Sequence, residues 1–186
     1  MRKIIGLTFI ALSIIACNSE NKTYLITKES VGVLQKNVAV QKLDSIYAKD
    51  SLVNSTYEGE LRYANTERIL IFEKGGKELL EITPAISGKT NEKVVESVRI
   101  LDPRFTTEKG ISLASTYKDI KSKYTDFEIE QTFKSILITP KGENVYFTFD
   151  KSALKNKNFG LSSDVTKDDI EEDAKIDRMV VDWSIY

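Results

Sequence analysis

The chain is 186 residues long, carries 27 Lys and Arg against 28 Asp and Glu, and contains no His and a single Cys. These counts exclude a Ser-His-Asp triad, a Cys-His pair, any His- or Cys-based metal site and any internal disulfide. The near-balance of charge gives no electrostatic reason to expect nucleic acid or an acidic lipid surface as ligand. Carboxylates, Lys, Tyr, Ser and Thr remain for catalysis, and only an oxygen cage for Ca²⁺ or Mg²⁺ remains for metals.

Arg2 and Lys3 precede an apolar run from Ile4 to Ile15. Ala16-Cys17 closes the run, and polar Asn18-Ser19-Glu20-Asn21-Lys22 follows. A basic head, an apolar core and a small residue before a cut form the layout of a secretory signal. A helix of about a dozen residues spans roughly 18–20 Å, well short of the ~30 Å of a bilayer core. An ordinary cleaved signal wants small residues one and three positions before the cut, where Ala16 fits and Ile14 does not. Ile14-Ile15-Ala16-Cys17 looks instead like a bacterial lipobox. The reading is a signal peptide over 1–16, cleavage between Ala16 and Cys17, acylation of Cys17 and a lipidated tether over 17–22. The implied location is an exported, membrane-anchored lipoprotein, on the periplasmic side of the outer membrane or on the cell surface. Loss of Arg2 and Lys3 lowers Lys and Arg from 27 to 25 against 28 acids, so the mature net charge is −3.

Beyond the tether, Tyr24-Leu25-Ile26 predicts a short extended piece, and Thr27 to Gly32 one helical turn that Gly32 ends. Val40, Leu43 and Tyr47 recur at i, i+3 and i+7, one face of a helix over about 38–48, with Asn37 as its start. Tyr57, Gly59, Leu61 and Tyr63 alternate with Glu58, Glu60 and Arg62 as in a half-buried strand. Arg68 to Glu73 reads as a more buried strand, Lys74-Gly75-Gly76-Lys77 as a hairpin turn, and Glu78 to Thr83 as the return that Pro84 stops. Val94 to Leu101 is a fourth strand.

The pattern then recurs. Tyr117, Ile120 and Tyr124 match Val40, Leu43 and Tyr47 at a shift of 77 residues. Thr116 to Asp119 has capping-box spacing. Strands are predicted over Phe127–Gln131, Phe133–Thr139, Asn144–Asp150 and Ile176–Tyr186, with a polar insert over Lys151–Asp173. Gly75 matches Gly142, and Val95–Ile100 matches Ile176–Val181. The expected fold class is therefore α+β: two tandem repeats over 23–103 and 104–186. Each would hold a short helical segment and a helix packed on an antiparallel sheet of about four strands.

Val31-Gly32 before Ala39-Val40-Gln41-Lys42-Leu43, with the helix-then-meander order, resembles the repeat of the β-lactamase-inhibitor-protein family. It also resembles the small outer-membrane assembly lipoproteins, which carry one copy. The resemblance implies protein binding, across a sheet face or through loops. It departs from the inhibitors in having no Cys for their disulfides, and no inhibitory-loop residue matches position by position.

Three sets of residues are candidates for chemistry. Asp164, Asp168, Asp169, Glu171, Glu172, Asp173 and Asp177 form an acidic run. It lacks the Asp-x-Asp-x-Asp-Gly spacing of a Ca²⁺ loop and holds Lys167 and Lys175, and Thr166 to Asp169 has the spacing of a helix cap, so it reads as a solvated insert or short helix in preference to a Ca²⁺ site. Tyr57, Tyr63, Tyr146, Phe147, Phe149 and Trp183 are strand aromatics, serving the sheet core or, if outward, a protein partner. Glu58 and Glu60 have the spacing of a paired acid and base, but they alternate with apolar residues and so read as lining a solvated strand face. The expectation is a non-enzymatic lipoprotein of the cell envelope that binds a protein or envelope component, without cofactor, metal or nucleic acid. The alternative is a carboxylate-dependent hydrolase acting on an envelope or extracellular polymer.

Overall fold

A computed structural model describes residues 22–56, 67–156 and 164–184. Cys17, Ala16, Tyr57, Glu58, Glu60 and Tyr63 lie outside the described residues. So does the alternating segment expected over 57–63.

Among the described residues, twelve strands form two sheets. A 3-10 turn (Lys22–Tyr24) precedes the two-residue strands β1 (Leu25–Ile26), β2 (Ser30–Val31) and β3 (Leu34–Gln35), and a second 3-10 turn (Val40–Lys42) leads into α1 (Leu43–Ile46). Next come β4 (Ser51–Thr56), β5 (Glu67–Phe72), β6 (Glu78–Ile86), β7 (Lys93–Ile100) and the short β8 (Thr106–Thr107). After α2 (Tyr117–Lys123) come β9 (Phe127–Gln131), β10 (Ser135–Pro140), β11 (Val145–Asp150) and β12 (Arg178–Asp182). The large sheet has eight strands in the order β4-β5-β6-β7-β12-β11-β10-β9, each antiparallel to its neighbours. A small sheet, β3-β2-β1-β8, includes the parallel pair β1 and β8.

This corrects the expected fold class. The protein is mostly antiparallel β, with two short helices, and not two helix-on-sheet α+β repeats. The two meanders do not each keep a separate sheet. β7 pairs with β12, Met179 opposite Ile100 and Val181 opposite Val98, so both runs of strands share one sheet. Alternation in a sequence reports which side chains share a face. It does not report which backbone edge meets which, and two unpaired edges are satisfied by joining.

The helix expected over 38–48 shrinks to a 3-10 turn and a four-residue α1. Asn37 does not start it, because Asn37 takes φ +57° and a capping residue needs an extended backbone. Ala39 holds that position with no side-chain cap. By contrast α2 has the full capping box: the Thr116 backbone N–H donates to Asp119 Oδ2 at 2.8 Å, and the Asp119 N–H donates to Thr116 Oγ1 at 3.4 Å. Pro84 does not stop its strand either. β6 runs on to Ile86, and Pro84 sits where the register with β7 shifts. At such a bulge a ladder N–H is dispensable.

One face of the large sheet carries the core. Ile69, Ile82, Val98, Val181 and Val145 lie opposite one another in register, as do Ile71, Leu80, Ile100, Met179, Phe147 and Ile138. All are at most 3 % exposed. Leu43 and Tyr47 at α1, Tyr117, Ile120 and Tyr124 at α2, and Ile26, Val31 and Leu34 of the small sheet join the same cluster. The Tyr117 ring stands edge-on to Phe149 at 5.9 Å and to Phe127 at 6.3 Å.

The helical turn expected over Thr27–Gly32 is instead the β1–β2–β3 meander, and Gly32 makes the β2–β3 turn at φ +58°. A Cβ on Gly32 would lie 2.3 Å from the Thr23 carbonyl oxygen and 3.2 Å from the Phe105 ring. Gly142 also has a positive φ, but nothing lies within 4 Å of its Cβ position. Gly32→Ala is expected to cost roughly 2 kcal/mol and Gly142→Ala about 1 kcal/mol, the difference coming from the backbone clash. Urea titration of both variants checks this; equal costs would show that the small sheet yields freely at Thr23.

Candidate functional site

The second face of the large sheet is built differently from the core face. Val53, Leu70, Glu81, Arg99, Val180 and Tyr146 stand opposite one another in one row across six strands. Their side chains point away from the core because successive residues of a strand alternate between faces. Leu70, Glu81, Arg99 and Tyr146 are half-buried and Val53 is exposed, where the core face is closed. Val180 is 8 % exposed yet belongs to no part of the core cluster. In the middle of the row Glu81 pairs with Arg99 at 3.4 Å and Arg68 at 3.5 Å. Beyond it, Glu130, Leu137, Thr148 and Arg178 form a second row. The Thr148 hydroxyl there is buried and has no hydrogen-bond partner among the described residues. The outer face thus carries apolar side chains on both sides of a charged centre in which Glu81 lies between Arg68 and Arg99.

The strand aromatics divide between the faces. Phe147 and Phe149 are wholly buried in the core. Trp183 is 4 % exposed, and its indole N–H donates to the Lys28 carbonyl at 3.1 Å. Tyr146 alone among the described aromatic candidates lies on the outer face. Burial raises its hydroxyl pKa, and Asp182 adds to the rise.

The acidic run disperses. Asp169 accepts from the Thr166 backbone N–H at 2.8 Å, Glu172 pairs with Lys121 at 3.1 Å and Asp177 with Arg178 at 3.4 Å. Among the described residues no three acidic, His or Cys side chains gather as metal ligands. The carboxylates that shift, Glu73, Asp102, Asp119, Asp169 and Glu172, all shift downward. A general acid at neutral pH needs the opposite.

The sequence reading missed one charged cluster. Asp102 follows β7 and is fully buried. Arg104 Nη2 donates to its Oδ2 at 2.7 Å, the Arg104 backbone N–H to its Oδ1 at 2.9 Å, and Lys77 Nζ lies at 2.9 Å. Arg104 also grips Glu73 through two bonds of 3.1 and 2.9 Å, and its guanidinium lies 4.5 Å from the Tyr24 ring centre. The Tyr24 hydroxyl donates to Glu73 Oε1 at 3.2 Å. The cluster clasps the first described residues to the β5–β6 turn. Burial opposes the charge on Asp102, but the bonds from Arg104 and Lys77 outweigh it and hold the pKa from the ordinary 3.8 down to about 2. A lowered pKa contributes stability that is present above the ordinary value and lost as pH falls through the lowered one. Asp102→Asn should therefore cost about 2 kcal/mol at pH 7. The gap between variant and wild type should close as pH falls from the ordinary value toward 2. Urea titrations across that range test it, and a gap independent of pH would contradict it.

No protein-family model matches the chain, and no curated protein matches it. Among solved structures it is similar to the uncharacterised protein YfeY from Escherichia coli, at 12 % identity and a TM-score of 0.54, over 84 % of this chain and 98 % of that one. At that identity the likeness concerns the fold alone. No described helix is long and apolar enough to cross a membrane.

Proposed function

We propose that the protein is an exported lipoprotein, anchored through acylated Cys17, that binds another protein or an envelope component across the outer face of its large sheet. The observation that carries the binding reading is the row itself: Val180 is buried at 8 % exposure yet lies outside the core cluster, and half-buried Leu70 and Tyr146 share its face with the Glu81–Arg99 pair. Aromatic and Arg side chains dominate binding hot spots, and Tyr146 and Arg99 flank Val180 in register. The lipobox supports the anchor.

Leu70→Lys and Leu137→Lys test the reading. Each new Lys would stand opposite a glutamate, Glu81 or Glu130, so the fold should lose no more than about 1 kcal/mol. The double variant should keep its melting transition and lose the partner that cross-linking in the native envelope captures with wild type. Undiminished capture would place binding elsewhere.

A further inference from the structure

The end of the large sheet that faces the tether presents its own apolar tips. Tyr24, bonded to Glu73, fixes the start of the described chain beside the β5–β6 turn. The register carries that end across the sheet. Leu80 is opposite Ile100, Ile100 opposite Met179, Thr148 opposite Arg178, Ser135 opposite Asp150 and Ile136 opposite Gln131. The β9–β10 turn is therefore at the same end as the β5–β6 turn. Five strand spacings of ~4.8 Å separate the two turns by about 24 Å.

Four large apolar side chains stand exposed among the described residues, Val33, Val53, Ile86 and Phe133. Two of them are at this end. Phe133 is 76 % exposed at the tip of the β9–β10 turn. The turn is pinned: the Thr132 N–H donates to the Ser135 carbonyl at 2.8 Å, and the Ser135 N–H to Thr132 Oγ1 at 2.9 Å. Val33 is 51 % exposed in the β2–β3 turn, next to Gly32, which fits against the Thr23 carbonyl. Exposed Lys134 follows Phe133, and exposed Lys74 opens the β5–β6 turn. Long cationic stems beside apolar tips suit a lipid boundary, with tips among acyl chains and ammonium groups at the phosphates.

The chain before this end sets the occupant. Asn18 to Lys22 reach at most about 17 Å at ~3.4 Å per residue, so an acylated Cys17 holds this end against the bilayer. We infer that the protein docks on the lipid surface through Phe133 and Val33, with strands running away from the membrane and the outer face turned sideways to the aqueous space. The inference rests on the lipid-anchor reading. Binding at the outer face then proceeds without the membrane covering it.

Acylated protein in phosphatidylcholine–phosphatidylglycerol vesicles tests this. The chain has one Cys, and acylation consumes its thiol, so Phe133→Cys, Val33→Cys and Ile86→Cys each offer one labelling site. Ile86 is also exposed, but it pairs with Lys93 at the opposite end of the sheet. With one fluorophore at each site, lipid-borne quenchers should dim positions 133 and 33 several-fold more than position 86. Protein that floats with the vesicles but shows equal quenching at all three sites, or none at 133 and 33, would overturn the docking while leaving the anchor intact. Protein that does not float would overturn the anchor and the docking with it.

Discussion

Ile120→Ala and Leu43→Ala are each expected to cost roughly 2–5 kcal/mol, the range for removing a large buried aliphatic side chain and leaving a cavity. Ile120 is fully buried and Leu43 is 1 % exposed. Each projects from a short helix into the single cluster beneath the large sheet. α1 has four residues and α2 seven, too few to hold together without packing. Deleting the anchoring side chain should therefore loosen the whole helix, not only open a void. A domain holds about 5–15 kcal/mol in all, so either variant should move the urea midpoint far. Lys123→Ala, on the exposed side of α2, should stay within about 0.5 kcal/mol. A cost under about 1 kcal/mol at Ile120 or Leu43 would mean that the helices are not fastened through these residues.

Cys17→Ser is expected to move the protein completely from the membrane fraction to the soluble one. Each buried CH₂ of an acyl chain contributes about 0.8 kcal/mol, so two chains on one residue hold firmly and none hold at all. No described helix offers a second means of insertion. The exposed tips Phe133 and Val33 are too small to retain the protein alone, since burying such a side chain contributes only about 1.5–3 kcal/mol. Mass spectrometry of the wild-type N-terminal peptide should find an acylated Cys17 as first residue. An unmodified Cys17, or a Ser variant that still sediments with membranes, would contradict the anchor.

Local signals were legible where one side of a strand or helix met the core. Period-two alternation located β7, β11 and β12, the apolar run Ile69 to Phe72 located β5, the Gly-rich turn located the β5–β6 hairpin, and Thr116 with Asp119 announced the cap of α2. What stayed hidden depends on partners distant in the chain. The pairing of β7 with β12 joins residues about eighty positions apart, and no periodicity encodes it. The small sheet is built from two-residue strands, too short to show a period, so Thr27–Gly32 looked like a helical turn. β6 reads as ended by Pro84 because the bulge that tolerates it needs the register of β7.

The site was less legible than the fold. Tyr146 was a candidate among six aromatics, but only the register separates it from Phe147 beside it in sequence. Leu70, Val180 and Leu137 read as ordinary strand residues, since an apolar side chain looks the same whether it faces the core or the outer face. Asp102 directly follows the strand predicted over Val94 to Leu101, and nothing local marks it out. Its partners Lys77, Glu73 and Tyr24 come from other elements, and its role as a clasp appears only when the β5–β6 turn reaches it.

The central claim is that the outer face of the sheet is the binding surface. Replacing Tyr146 by a photoreactive benzoylphenylalanine in the lipid-anchored protein, irradiating intact envelopes and comparing with the same probe at Phe133 tests it most directly. The probe at 146 should yield a discrete protein or envelope adduct that Leu70→Lys removes, while the probe at 133 yields lipid adducts. No adduct from position 146, or one that Leu70→Lys leaves unchanged, would contradict it.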